Sequence, residues 1–488
     1  MQKTCTQCAS NFEITDDDLK FYDKISPVFG GKKCLIPPPT FCTECRSQRR
    51  LTWRNERSLY WRKDDKNGER ILSMYSQDKP FAVYSQKEWW SDHWDPQSYS
   101  QSFDFSRPFA EQFKRLMQNV PHMALFNVNC EHNCEFVNIE YDDKNCYMCF
   151  GGGFCEDCYY GMIVLRSTNC VDCHKINKCD RCYELLDSEQ CFECFYSQEI
   201  QNCNSCWLCY DCKGCSNCFG CTGLRNKEYH YFNEELNKEE YQKRMQQFKS
   251  ENYSDVQKMR IIFSESILPK YTRKYARILQ SENCTGDYIT NSDNCVHCFE
   301  ADESQDIKYA ILSERLKDSM DCYISGWPAE LIYDSMSQCV NAVHNIFSNF
   351  CWEGSNELLY CSYCFSCSNC FGCFGLRHKQ YCILNKQYSK EEYEELVPRI
   401  IDHMESTGEW GEFFPASLSP FAYNESIAQD QYPLTKEEVK SKGLNWRDKK
   451  DEIPEVEKTI PAKKLPFSTK DIPDDILSWA IECEATKR

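Results

Sequence analysis

The chain has 488 residues, with 57 Lys and Arg against 75 Asp and Glu, a formal net charge of −18, and 41% hydrophobic residues, enough for two or three packed cores. Its 37 cysteines far exceed ordinary usage, in a chain too long to be a disulfide miniprotein. The start Met1-Gln2-Lys3-Thr4-Cys5 has no apolar signal core, and no stretch approaches about 18 uninterrupted apolar residues, so we expect a cytoplasmic chain without a membrane span. In that compartment the thiols are expected to stay reduced, held by metal or by burial.

Residues 1–50 read as one unit. Cys5-x2-Cys8 and Cys42-x2-Cys45 bracket 33 residues, the pattern of a four-thiolate zinc ribbon in which each knuckle presents two sulfurs on a tight turn. Cys34, without a partner at that spacing, reads as a small core residue. With Phe12, the Phe21-Tyr22 pair and Pro37-Pro38-Pro39-Thr40-Phe41 running into Cys42-x2-Cys45-Arg46, the segment resembles a small bacterial zinc-ribbon family whose members end in a CxxCR knuckle. The resemblance covers about 50 of the 488 residues and implies zinc binding, nothing sharper.

Residues 51–127 form a basic and aromatic connecting region. Arg46, Arg49, Arg50, Arg54, Arg57, Arg62, Lys63, Lys66 and Arg70 outnumber Glu56, Asp64, Asp65 and Glu69, and Trp53, Tyr60 and Trp61 lie among them. Phosphate contacts plus base stacking would make this a site for RNA or single-stranded DNA, with Arg46, Arg49, Arg50, Arg54, Arg57, Arg62, Trp53 and Trp61 as candidate contacts. The competing reading is a helix whose Arg and Trp side chains pack onto the ribbon. A further helix is expected near Pro108 to Asn119.

Residues 128–232 are a repeat. Cys134, Cys146, Cys158, Cys170, Cys182, Cys194, Cys206 and Cys218 fall 12 residues apart, and parallel lanes hold Cys155, Cys179, Cys191, Cys203 and Cys215, then Cys149, Cys173, Cys209 and Cys221, with small, apolar or serine fillers. A fixed period with small residues in the same lanes points to a narrow β-solenoid-like lobe in which cysteine is a compact interior residue. The lanes are three residues apart rather than two, so the coils must be rich in turns. The block then recurs at residues 281–386: residues 209–241 and 361–393 share 19 of 33 positions, both running through Cys-Ser-Asn-Cys-Phe-Gly-Cys and Gly-Leu-Arg. In the second copy the period survives only in fragments.

Helical spacers are expected at 233–280 and 387–410, with Asn237 and Ser389 as N-caps. From 411 to 488 the chain is Pro-rich, with Thr435 opening a capping box, a flexible Lys/Glu/Pro stretch from Asp451 to Pro466, and a lone Cys483 that resembles half a knuckle.

The knuckles Cys146/Cys149, Cys155/Cys158, Cys170/Cys173, Cys179/Cys182 and Cys203/Cys206 are further candidate zinc ligands, against a reading as stacked core thiols. Iron–sulfur ligation is disfavoured because the Pro-flanked cysteine run is missing. The chain has no GxSxG, Walker A or GxGxxG, and no Cys–His signature, so an enzyme is not expected. The Cys-Phe-Gly-Cys-x-Gly-Leu-Arg block resembles cysteine-rich bacterial proteins sometimes labelled CaiB/BaiF-type, but the aspartate-nucleophile pattern of that α/β CoA-transferase family is not reproduced. The expected fold is mixed α+β and multidomain: a zinc ribbon, then two duplicated cysteine-rich β-solenoid-like lobes with helical spacers. The expected function is a non-enzymatic protein with structural zinc that binds RNA or an RNA–protein particle; the alternative is metal storage or thiol redox sensing.

Overall fold

The computed structural model describes residues 1–130, 132–448, 456 and 458–487. The chain divides into two units, Met1–Leu125 with Lys274–Arg447 and Phe126–Arg273 with Asp448–Arg488. The boundaries drawn from sequence follow the chain, whereas the units do not: ribbon, connecting region and second repeat share one unit. The fold is mixed α/β, with large multi-stranded sheets. Its longer helices include α1 (Asp16–Ile25), α2 (Thr43–Leu51), α3 (Phe109–Asn119), α4 (Lys238–Gln247), α5 (Tyr253–Ile262) and α6 (Lys390–Thr407).

In the unit built from Phe126–Arg273, eight strands from Tyr147–Phe150 to Glu228–Tyr231 pair in chain order, and Glu234–Glu235 closes the sheet antiparallel. The register joins residues twelve apart: Tyr147 with Tyr159, Met162 with His174, Tyr183 with Phe195, Cys206 with Cys218. Asn145, Met148, Gly151, Phe154, Asp157, Tyr160 and Ile163 all have φ between +52° and +73°. The backbone thus turns at every third residue, which is why inward cysteines stand three apart where a straight strand alternates every second residue. Non-glycine residues there cost roughly 1–2 kcal/mol each, least for Asn and Asp, and Asn133, Asn145 and Asp157 on successive rungs are tied by side-chain bonds of 3.3 and 3.2 Å.

The interior thiols serve the backbone. The Cys146 thiol lies 3.4 Å from the Lys144 carbonyl and 3.7 Å from that of Cys155; Cys203 stands likewise to Gln201 and Cys212, at 3.4 and 3.3 Å. Where serine replaces cysteine the role is kept: the Ser167 hydroxyl donates to Leu165 O at 2.8 Å and accepts the Cys179 N–H at 3.1 Å. These carbonyls already accept backbone N–H groups, Cys155 O from Lys144 and Gln201 O from Gly214, so the thiol is a second, weak donor to them; the narrow interior requires a small side chain whose own polar group finds a partner there. At Gly152 the chain passes so close to Val164 that a Cβ would lie 2.1 Å from its carbonyl oxygen.

The second repeat, in the other unit, explains its own irregular sequence. Gly286 pairs with Cys298 and Phe299 with Ile311, twelve apart; Met320 pairs with Tyr333 and Gln338 with Cys351, thirteen apart; Leu358 pairs with Cys370, twelve again. At two of these longer rungs consecutive residues with positive φ, Val340–Asn341 and Glu353–Gly354, mark the same corner. A thirteenth residue slides the cysteine lanes out of phase with a count of twelve.

Helix caps follow the sequence. The Asn237 side chain accepts from Glu240 N, and Ser389 and Thr435 each form a capping box. The stretch expected to be flexible from Asp451 to Pro466 lies in part outside the described residues. Cys34 is buried, and Cys483 is exposed.

Candidate functional site

Two short strands, Gln2–Thr4 and Asn11–Glu13, pair antiparallel and present Cys5 and Cys8 on the turn between them. Cys42 is the N-cap residue of α2, and Cys45 lies in its first turn. The four sulfurs lie within 4.8 Å of one another, with Cys8 and Cys42 Sγ 3.7 Å apart. Four sulfurs about 2.3 Å from a zinc ion stand roughly 3.8 Å apart, so the donor set and its spacing fit a metal ion such as zinc. Burial raises the Cys42 and Cys45 thiols above their ordinary value, against the preference for negative charge at the N-terminus of α2. The Ser10 hydroxyl and backbone N–H at Cys8 lower that thiol to about 6.

The other cysteines behave differently. Among the described residues, the ribbon tetrad is the group of three or more Cys, His, Asp or Glu whose ligand atoms converge within 4.8 Å. Cys146, Cys149, Cys155, Cys158, Cys170, Cys173, Cys179, Cys182, Cys203 and Cys206 are buried, with Sγ directed at backbone carbonyls. That placement matches stacked core thiols rather than further four-thiolate sites.

Most of the basic stretch is engaged within the chain. Arg46 donates to Asp321 through Nε at 3.0 Å and Nη2 at 2.7 Å; Arg49 reaches Asp334 and Glu412, both at 2.7 Å; Arg50 reaches Asp334 and Asp321; Arg54 donates to Glu56 at 2.6 Å. Arg62 is buried against Asp65 and the Ser76 carbonyl, and Trp53 against Phe414. Burial alone would raise the Asp334 carboxyl, but the guanidiniums of Arg49 and Arg50 outweigh it and hold the carboxyl below its usual range. Of the eight candidate nucleic-acid contacts, Arg57 and Trp61 are exposed; Arg57 already pairs with Asp430, and Trp61 lies under the Arg70 guanidinium at 4.2 Å. The arginines do pack inward, as the competing reading had it, but chiefly onto the second repeat rather than onto the ribbon. Asp321 and Asp334 were missed because an acid inside a repeat reads as a solvated corner. The offset of 152 that aligns the two copies does not find them, because it sets Asp321 against Asn169 and Asp334 against Cys182; the thirteen-residue pairings of Met320 with Tyr333 and Gln338 with Cys351 shift the lane.

A cavity of about 590 Å³ beside the ribbon is lined by Gln7, Phe41, Gln48, Tyr360, Glu412 and Lys442, among others. Its carboxylates belong to the framework: Glu412 accepts from Thr40 and Arg49, and Glu409 accepts the Phe109 and Ala110 N–H groups at the start of α3. No helix among the described residues is long and apolar enough to cross a membrane. No family model, curated protein or solved structure matches this chain in sequence or fold.

Proposed function

We propose that the protein is a non-catalytic binding scaffold in which one structural zinc, held by Cys5, Cys8, Cys42 and Cys45, locks the ribbon, and in which the two cysteine-rich lobes are β-solenoids that present outward lanes of side chains to a macromolecular partner. The observation that carries this is how the thiols are used: four converge on one point, while the interior cysteines are directed at backbone carbonyls. The twelve- and thirteen-residue registers and the turn at every third residue support the solenoid. An RNA partner loses most of its support, because the arginines that suggested it are committed to carboxylates. Metal storage is the weaker alternative, since a store needs many converging thiolates.

The test is elemental analysis of full-length protein purified without added metal, alongside titration of reactive thiols under native conditions. A scaffold carries one zinc per chain and few reactive thiols; several metal ions per chain would overturn the reading in favour of a store.

A further inference from the structure

The duplicated lobes carry the same outward lane, and it is covered in one and open in the other. In the second repeat the lane runs Asp321, Asp334, Phe347, Tyr360, each with positive φ and each following Met320, Tyr333, Ile346 and Leu359, which pair rung to rung. In the first repeat the equivalent lane runs Asp172, Glu184, Tyr196, Leu208, following Val171, Tyr183, Phe195 and Trp207. The lanes share their order, two acids and then bulky apolar groups, and a tyrosine stands twelve residues before the first acid in both, Tyr160 and Tyr309.

In the second repeat α2 lies on this lane. Arg46 and Arg50, one helical turn apart, meet Asp321 and Asp334, one rung apart. A turn of about 5.4 Å against a rung of about 4.8 Å lets a helix running along the stack put an arginine on each acid. All four residues are buried there. In the first repeat α5 does half of this: Arg260 donates to Glu184 at 2.8 Å and lies over the Tyr196 ring at 4.8 Å. Past Glu184 the cover stops. Asp172 is exposed and joins no ion pair among the described residues, while Met148, Tyr159 and Tyr160 are exposed by 36%, 37% and 53%.

We infer that this open lane, Asp172 with Tyr147, Met148, Tyr159 and Tyr160, is the docking surface of the scaffold for an amphipathic helix of another protein, one that sets an arginine on Asp172 and apolar residues on the tyrosines. The inference rests on the scaffold reading and names its partner class. The occupant is set by continuity with the α5 interface and by the complementarity that α2 displays on the duplicate lane. The acids disfavour RNA on this face.

The probe is a fluorescein-labelled peptide with the sequence of residues 43–57 and Cys45 replaced by Ser, titrated into zinc-loaded full-length protein and read by anisotropy. Saturable binding is expected, weakened about tenfold or more by Asp172→Lys or Tyr160→Ala, and abolished when the peptide carries Glu in place of its arginines 46, 49 and 50. Circular dichroism checks that the exposed-site variants keep the fold. Absence of saturable binding overturns the proposal. So does equal binding to the Asp172→Lys protein, which would mean that the peptide exchanges with α2 on Asp321 and Asp334. Displacement of the peptide by a uridine oligomer would overturn it in favour of a nucleic-acid face. The metal count is independent of all these results, so failure here and failure of the scaffold reading are told apart.

Discussion

Arg46 on the ribbon helix and Asp321 in the second repeat, 275 residues apart in sequence, meet at 2.7 Å with neither side chain more than 3% exposed. Removing one member of such a pair leaves an uncompensated buried charge. Asp321→Ala is therefore expected to cost about 3–5 kcal/mol in urea denaturation of the unit that holds it. A loss below about 1 kcal/mol would mean that the pair contributes little to that unit.

The ribbon is expected to depend on its metal. Replacing Cys42 and Cys45 together with Ser should lower zinc content by one ion per chain and lower the Tm, because metal binding supplies much of the folding free energy of so small a module. Zinc content equal to that of the unaltered protein would exclude the tetrad as the site.

Insertions should be tolerated at one corner of the rung and nowhere else. The second repeat takes its thirteenth residue where Val340–Asn341 and Glu353–Gly354 stand, and the matching corner of the first repeat is near Asn202. A glycine inserted between Gln201 and Asn202 is expected to cost much less than one between Lys175 and Ile176, which would move Ile176 and later interior residues of that rung out of their lanes. Equal urea midpoints for the two insertions would contradict this.

His344 should give the ribbon unit a pH-dependent component. Its Nδ1 lies 2.6 Å from Glu357 and its Nε2 2.8 Å from the Ile25 carbonyl, and both partners only accept, so both ring nitrogens carry protons. Burial opposes that charge, but Glu357 prevails and the pKa is raised. A raised folded-state value stabilises fully below the unfolded value of about 6.5, and the contribution is lost as pH rises through the folded value. Tm measured against pH should show this decline in the natural protein and lack it in His344→Ala; parallel curves would refute it.

Much of the architecture was legible because a repeat writes its geometry into spacing. The cysteine spacing matches individual strand pairings such as Cys206 with Cys218, and Asn237, Ser389 and Thr435 stand at three helix starts. The tetrad followed from knuckle spacing alone. What could not be read was tertiary. Arg49 and Arg50 look like any basic surface until Asp334 is brought against them, and the contact spans more than 280 residues. The second repeat looked eroded because a one-residue change of rung length, at positions such as Met320 and Tyr333, hides a regular structure from a fixed count.

The long span between Arg46 and Asp321 also imposes an order in time. At about 5–20 residues per second, ribosomal synthesis delivers Asp321 roughly 14–55 s after Arg46. Each rung can zip onto its predecessor as it emerges, because its partners are only a dozen residues back. The ribbon cannot do the same. It must persist through that interval with Arg46, Arg49 and Arg50 lacking their carboxylates, so a nascent chain truncated before residue 321 should expose a cationic helix followed by an uncovered Trp53, a surface that the finished protein buries.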